Sequence, residues 1–144
     1  MAHDLRFHTL RSYLSVLEGK GLLLKIKNAD WNIEMGAITE VVAFSKQPRA
    51  LIFDRIEGYP SGYRVATNLY SSRTLQAIAL GLPDDVPMVE LISKWRERAK
   101  RLQPVPPRVI KDGPILENVI NGVDVDLLRF PVPHWHEADG GRFL

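Results

Sequence analysis

An α+β fold, with helices packed on a small mixed sheet, is what this sequence predicts over roughly its first hundred residues. Two observations carry that prediction. Apolar residues recur at helical spacing in several separate stretches, and short apolar or alternating runs stand between them. A third observation sets the limit of the unit. Pro104, Pro106, Pro107 and Pro114 fall within QPVPPRVIKDGP, a run that forbids a helix and favours extended chain.

The first helix lies in TLRSYLSVLEGKG. Leu10, Tyr13, Leu14 and Leu17 sit at i, i+3, i+4 and i+7, with Thr9 as a candidate N-cap and Gly19 or Gly21 as the stop. LLLKI (22–26) follows as a short strand. In NIEMGAITEVVAFSK (32–46), Ile33, Met35, Ile38, Val41 and Val42 form an apolar helical stripe, which Gly36 weakens by about 1 kcal/mol relative to Ala. ALIF (50–53) has the length of a buried strand and YRVATN (63–68) alternates like another, with turn chemistry between them at Gly58, Pro60 and Gly62. The order to this point is αβαββ. SSRTLQAIALGL adds a serine cap, a short apolar helix and a closing Gly81. Asp84 or Asp85 then caps VPMVELISKWRERAKRL, where Met88, Leu91, Ile92, Trp95, Ala99 and Leu102 repeat at helical spacing. That spacing places Leu91 and Trp95 against the sheet, and Lys94, Arg98 and Arg101 in solvent.

Beyond the prolines, ILENVINGVDVDLLRF reads as a strand, an Asn121-Gly122 turn and a second extended or loosely helical piece. The predicted organisation is thus an α+β domain over 1–103, a Pro-rich linker over 104–114, and the opening of a further unit over 115–144. One hairpin is marginal in water, so Ile115, Val119, Val125, Leu128, Phe130 and Trp135 need a partner surface. The first unit's own face, a second copy and a further domain are the alternatives.

Composition excludes several function classes. A chain of 144 residues with 45% hydrophobic content is large enough to bury a core. No window approaches the roughly 18 apolar residues of a membrane span, and the start MAHDLRFHTL lacks a secretory pattern, so a soluble cytoplasmic protein is expected. The absence of cysteine rules out disulfides and thiolate chemistry, leaving His, Asp and Glu as the only metal ligands. A net charge of +2 is far short of the surplus that marks a dedicated nucleic-acid binder.

The sharpest chemical cluster is FPVPHWHEADGGRFL at 130–144. His134 and His136, at i and i+2, point to one face if the segment is extended, and Glu137 or Asp139 would complete a two-histidine, one-carboxylate metal triad. A packed loop explains the same residues with fewer assumptions, because the third ligand is unplaced. The Gly pair in DGG (139–141) reads as a bend rather than a phosphate cradle, since no GxGxxG or GxxxxGK[ST] pattern surrounds it. Ser71, Ser72 and Arg73 suit a helix cap better than an anion site. The basic run Lys94, Arg96, Arg98, Lys100 and Arg101 is interrupted by Glu97 and reads as a solvated face. No catalytic, cofactor-binding or metal-binding residue is therefore assigned within the chain.

Three stretches, in order, give the chain a resemblance to the N-terminal part of the UbiD family of carboxy-lyases. LRSYLSVLEGKGLLLKI resembles that family's opening helix and strand. ALIFDRIEGYPSGYRVATNLYSSRTLQAIALGL is similar to its strand, GYP-type turn, second strand and helix ending ALGL. NGVDVDLLRFPVPHWHEADGGRFL is similar to its passage leading through P-x-P, His and D-G-G. The resemblance implies reversible, non-oxidative decarboxylation of an aromatic or α,β-unsaturated carboxylic acid. It also implies prenylated flavin mononucleotide as cofactor, with a divalent ion of the manganese type and potassium.

By the same resemblance, residues 115–144 are the first strands of a split-barrel flavin-binding domain that is cut short at Leu144, and the family's catalytic and cofactor ligands lie further on. The chain is then expected to be a truncated, proteolysed or divided part of a longer enzyme, inactive alone and without bound cofactor. Its partners would be the rest of its own chain or a homo-oligomer, with neither nucleic acid nor membrane. A non-catalytic interaction or regulatory α+β module is the competing reading.

Overall fold

The computed structural model describes residue 7 and residues 9–142. Helix α1 (Leu10–Gly19), strand β1 (Leu23–Lys27), helix α2 (Glu34–Ala43), strands β2 (Ala50–Asp54) and β3 (Arg64–Thr67), and helices α3 (Arg73–Ala79) and α4 (Met88–Lys100) follow in the predicted order. The sheet runs β1-β2-β3. β2 is parallel to β1, with Leu23 opposite Ala50, and antiparallel to β3, with Leu51 opposite Thr67. A parallel pair needs a crossover connection, and α2 supplies it; the antiparallel pair needs only the GYPSG turn.

Side chains alternate along a strand, so β2 feeds two cores. Ala50 packs with Tyr13 and Leu17 of α1 and Leu75 and Ile78 of α3. Leu51 and Phe53 pack with Met35 of α2 and with Ala29 and Ile56. The unbroken apolar run ALIF follows from this geometry, because a strand covered on both faces has no polar side to show.

Local chemistry sets the helix ends. Thr9 Oγ1 accepts from the Ser12 amide at 3.2 Å while Ser12 Oγ accepts from the Thr9 amide at 3.1 Å, a reciprocal capping box. Gly21, at φ +69°, turns the chain out of α1 in a conformation that costs any residue with a Cβ. Ser72 Oγ caps α3 by accepting from the Leu75 amide. Tyr13 is buried and its hydroxyl donates to the carbonyls of Leu69 (2.8 Å) and Leu75 (3.2 Å), tying α1 to the start of α3. Burial, with Tyr70 alongside, pushes its phenol up to about 12.

Four expectations are corrected. Neither Asp84 nor Asp85 caps α4: Pro87 is the N-cap residue, and Asp84 instead pairs with Lys20 at 2.8 Å. Trp95 is 37% exposed, because α4 rests on the body through Leu91 (4%) and Arg98, whose guanidinium donates to the Leu80 and Gly81 carbonyls. The helix is thereby turned so that Trp95 faces outward and Arg98, expected in solvent, is half-buried. Val41 also faces solvent rather than the α2 core. Finally, the strands expected within 115–130 do not form. The segment holds three 3₁₀ turns, at Pro114–Leu116, Gly122–Asp124 and Leu127–Arg129. A strand exists only against a partner, and these residues meet no sheet edge; their apolar side chains, from Ile115 to Leu128, are exposed. Among the described residues no helix is long and apolar enough to cross a membrane.

Two predictions follow from the packing. Phe53→Ala should cost about 3–5 kcal/mol in urea unfolding, as a large-to-small change at a fully buried site, whereas Trp95→Ala should cost about 1 kcal/mol or less. Equal losses would contradict the orientation of α4. The second concerns alkaline pH. The unfolded phenol of Tyr13 loses its proton near pH 10 and the folded one near 12, so the unfolded state binds fewer protons in that window and stability falls as pH rises through it. Tyr13→Phe should flatten that part of the stability curve, read as the urea midpoint at pH 9 and 11.

Candidate functional site

The most elaborate polar arrangement forms where residues 130–142 return to the loop between β1 and α2. That loop is tightly bonded within itself. Asp30 Oδ1 accepts from the Asn32 amide at 2.9 Å, Glu34 Oε2 accepts from the Asp30 amide at 2.7 Å, and the Glu34 amide donates to the Asn32 carbonyl at 2.8 Å. The last bond closes a γ-turn with Ile33 at its centre, at φ +69° and ψ −45°. This hand of γ-turn is rare and strained, the more so for a β-branched residue.

The strain is held in place by the returning segment. The His134 amide donates to the Trp31 carbonyl at 3.0 Å, and the Ile33 amide donates to the His134 carbonyl at 2.9 Å, a single parallel bridge across the turn. Pro131, Val132 and Pro133 are buried beside it. Gly36, on the first turn of α2, lies directly under Trp135: a Cβ there would stand 2.1 Å from the Trp135 carbonyl oxygen. The glycine that weakens the helix is therefore the residue that admits the segment.

Arg142 closes the arrangement. Its guanidinium lies over the Trp31 ring, 3.9 Å from the centroid, within the range of a cation–π contact. Nε donates to the Val132 carbonyl at 2.6 Å, and Nη2 donates to the Tyr59 hydroxyl and, at 3.5 Å, to the Phe130 carbonyl. Tyr59 in turn donates to the Leu128 carbonyl at 3.2 Å. One arginine thus gathers a β1–α2 aromatic, a β2–β3 loop tyrosine and its own upstream backbone.

The residues singled out in the sequence fall as follows. His134 and His136 have separate partners. His134 Nδ1 meets Asn32 Oδ1 at 2.9 Å, and Nε2 is buried without a hydrogen-bond partner among the described residues. His136 lies between Glu40 and Asp139, each at 3.6 Å. Asp139 also accepts from the His136 amide at 3.0 Å, so DGG is a bend closed by its own aspartate. Ser72 caps α3, Ser71 Oγ donates to the Asn68 carbonyl, and Arg73 donates to the Val86 carbonyl. Among the described residues no three His, Asp or Glu side chains are grouped to hold a metal ion. Tyr59 reads from the sequence as loop packing only, and Trp31, Asn32 and Arg142 carry no sequence signal; the one available signal is the glycine inside an otherwise good helix.

Residues 14–95 match the family model described as the 3-octaprenyl-4-hydroxybenzoate carboxy-lyase N-terminal domain. The chain belongs to the UbiD family. It is 36% identical to a pyrrole-2-carboxylic acid decarboxylase of Pseudomonas aeruginosa, over 93% of this chain and 28% of that protein. It is 33% identical to a phenolic acid decarboxylase of a Streptomyces species, over 100% of this chain and 30% of that one. The closed form of vanillic acid decarboxylase from Sedimentibacter hydroxybenzoicus superposes with a TM-score of 0.81 at 32% identity, covering 94% of this chain and 29% of the other. The UbiD relatives are therefore decarboxylases of aromatic acids, and this chain spans under a third of the length of each.

Gly36→Ala tests the docking. The added methyl meets a backbone carbonyl that the bridge at His134 holds in place, so the segment must lift. We expect a loss of about 1–3 kcal/mol despite the better helix former, as in overpacked cores. Native-state hydrogen exchange should speed up at Ile33 and His134 and stay unchanged in α1. Unchanged exchange at those two amides would show that the contact is not binding.

Proposed function

We propose that this chain is the N-terminal portion of a prenylated-flavin-dependent carboxy-lyase that interconverts an aromatic or α,β-unsaturated carboxylic acid and its decarboxylated product. The observation that carries the reading is the near-complete coverage of this chain by relatives named as aromatic acid decarboxylases. Residues 1–103 are read as an N-terminal α+β domain, 104–114 as a linker, and 115–144 as the start of the cofactor-binding domain. When bound, the modified flavin supplies the electron sink for loss of carbon dioxide. The part played by the present residues is structural. The Gly36, Trp31 and Arg142 contacts hold residues 131–142 in one path against the start of α2 and the loop before it.

This chain by itself is expected neither to decarboxylate nor to bind the cofactor tightly. Titration of the purified chain with prenylated flavin mononucleotide and manganese should give no saturable change in flavin absorbance, while a polypeptide extended to the length of its relatives should give one. Tight saturable binding by the 144 residues alone would overturn the reading.

A further inference from the structure

We propose that residues 131–142 are a strap with two positions, docked and lifted, and that lifting returns Asn32 to α2 as its N-cap. The docked position imposes a helix start that the local sequence opposes. Asn32 heads the helical stretch 32–46, and asparagine is among the strongest N-cap residues. As the cap, its side-chain oxygen would accept from the Glu34 or Met35 amide while Ile33 took the first helical position. The docked chain does otherwise. α2 begins one residue later, at Glu34, and its N-cap residue is Ile33, without a side-chain cap bond. The Glu34 and Met35 amides donate to the carbonyls of Asn32 and Asp30 instead.

His134 of the strap is what holds this start. Its Nδ1 engages Asn32 Oδ1 at 2.9 Å, its carbonyl accepts from the Ile33 amide at 2.9 Å, and its amide donates to the Trp31 carbonyl at 3.0 Å. With His134 withdrawn, Asn32 loses its partner and the Ile33 amide its acceptor. The φ of +69° at Ile33, a β-branched residue, then loses its support, and relaxation to helical angles relieves the strain.

Each position supplies what the other gives up. Docked, the strap has its bridge, the Arg142 stack on Trp31 and the space above Gly36. Lifted, α2 gains a side-chain cap and one further residue. The two sets of contacts exclude each other, because Ile33 cannot hold a positive φ and a helical one at once. A short segment with two mutually exclusive bonding schemes is a bistable element, and the start of α2 reports which scheme is in force.

Nuclear magnetic resonance on the whole chain tests both positions, with hydrogen exchange in α1 as the control for an intact fold. Ile33→Gly removes the strain of the docked turn and weakens the lifted helix start, so exchange at the His134 amide should slow at least about fivefold. Gly36→Ala lifts the strap, and the Cα and Cβ shifts of Ile33 should then move to helical values. Adding Asn32→Ala to Gly36→Ala should take Ile33 back out of the helical range, whereas Asn32→Asp, another good cap, should keep it there. Unchanged or faster exchange at His134 in Ile33→Gly overturns the proposal, as does His134 protection retained in Gly36→Ala. So do Ile33 shifts that stay non-helical when the strap is lifted, or that ignore Asn32→Ala, since strap and cap would then be independent.

Discussion

Burial of β2 from both sides is the constraint on which the rest of this structure depends. Ala50 serves one core, with α1 and α3, while Leu51 and Phe53 serve the other, with α2. A strand so placed requires a covering layer on each face; here its parallel neighbour is reached by a crossover and its antiparallel neighbour by a turn. The observed arrangement of β1, α2 and β3 meets those requirements within about fifty residues. Tyr13 then bonds the α1 layer to α3 through two backbone carbonyls, so the cap and stop residues of those helices act on a frame already located by β2.

On that frame rests a second, more local constraint. The γ-turn at Ile33 stores strain that the bare loop would release, and the bridge to His134 opposes its release. Gly36 leaves room for the Trp135 carbonyl, and Arg142 stacks on Trp31. The α2 start and the 131–142 segment therefore depend on each other. Between α4 and residue 130 the chain meets this frame at the Tyr59–Leu128 bond, and its apolar side chains remain exposed.

In a family whose named relatives here are decarboxylases of aromatic acids, the described residues build an α+β unit and hold residues 131–142 against it. Many of their polar groups serve caps, turns and the latch at Arg142. Histidines that look like ligands in the sequence are engaged singly, by Asn32 in one case and by Glu40 and Asp139 in the other.

Much of the domain was determined by the sequence alone. Thr9, Ser72 and the apolar spacing of TLRSYLSVLEGKG and ALIF act through bonds and periodicities a few residues long, so helix ends and strand positions emerge without knowledge of the whole. What depends on contacts distant in the chain did not. The facing of α4 was decided by Arg98 reaching Leu80 and Gly81, which turned Trp95 outward although spacing alone favours burial. The run at 115–130 has strand-like composition but pairs with neither edge strand of the sheet, β1 or β3, and settled into 3₁₀ turns. His134 was likewise drawn to Asn32, 102 residues away, and Gly36 acquired its reason only when Trp135 came to lie on it. Periodicity reports which residues avoid water; only the tertiary structure decides which surface removes them from it.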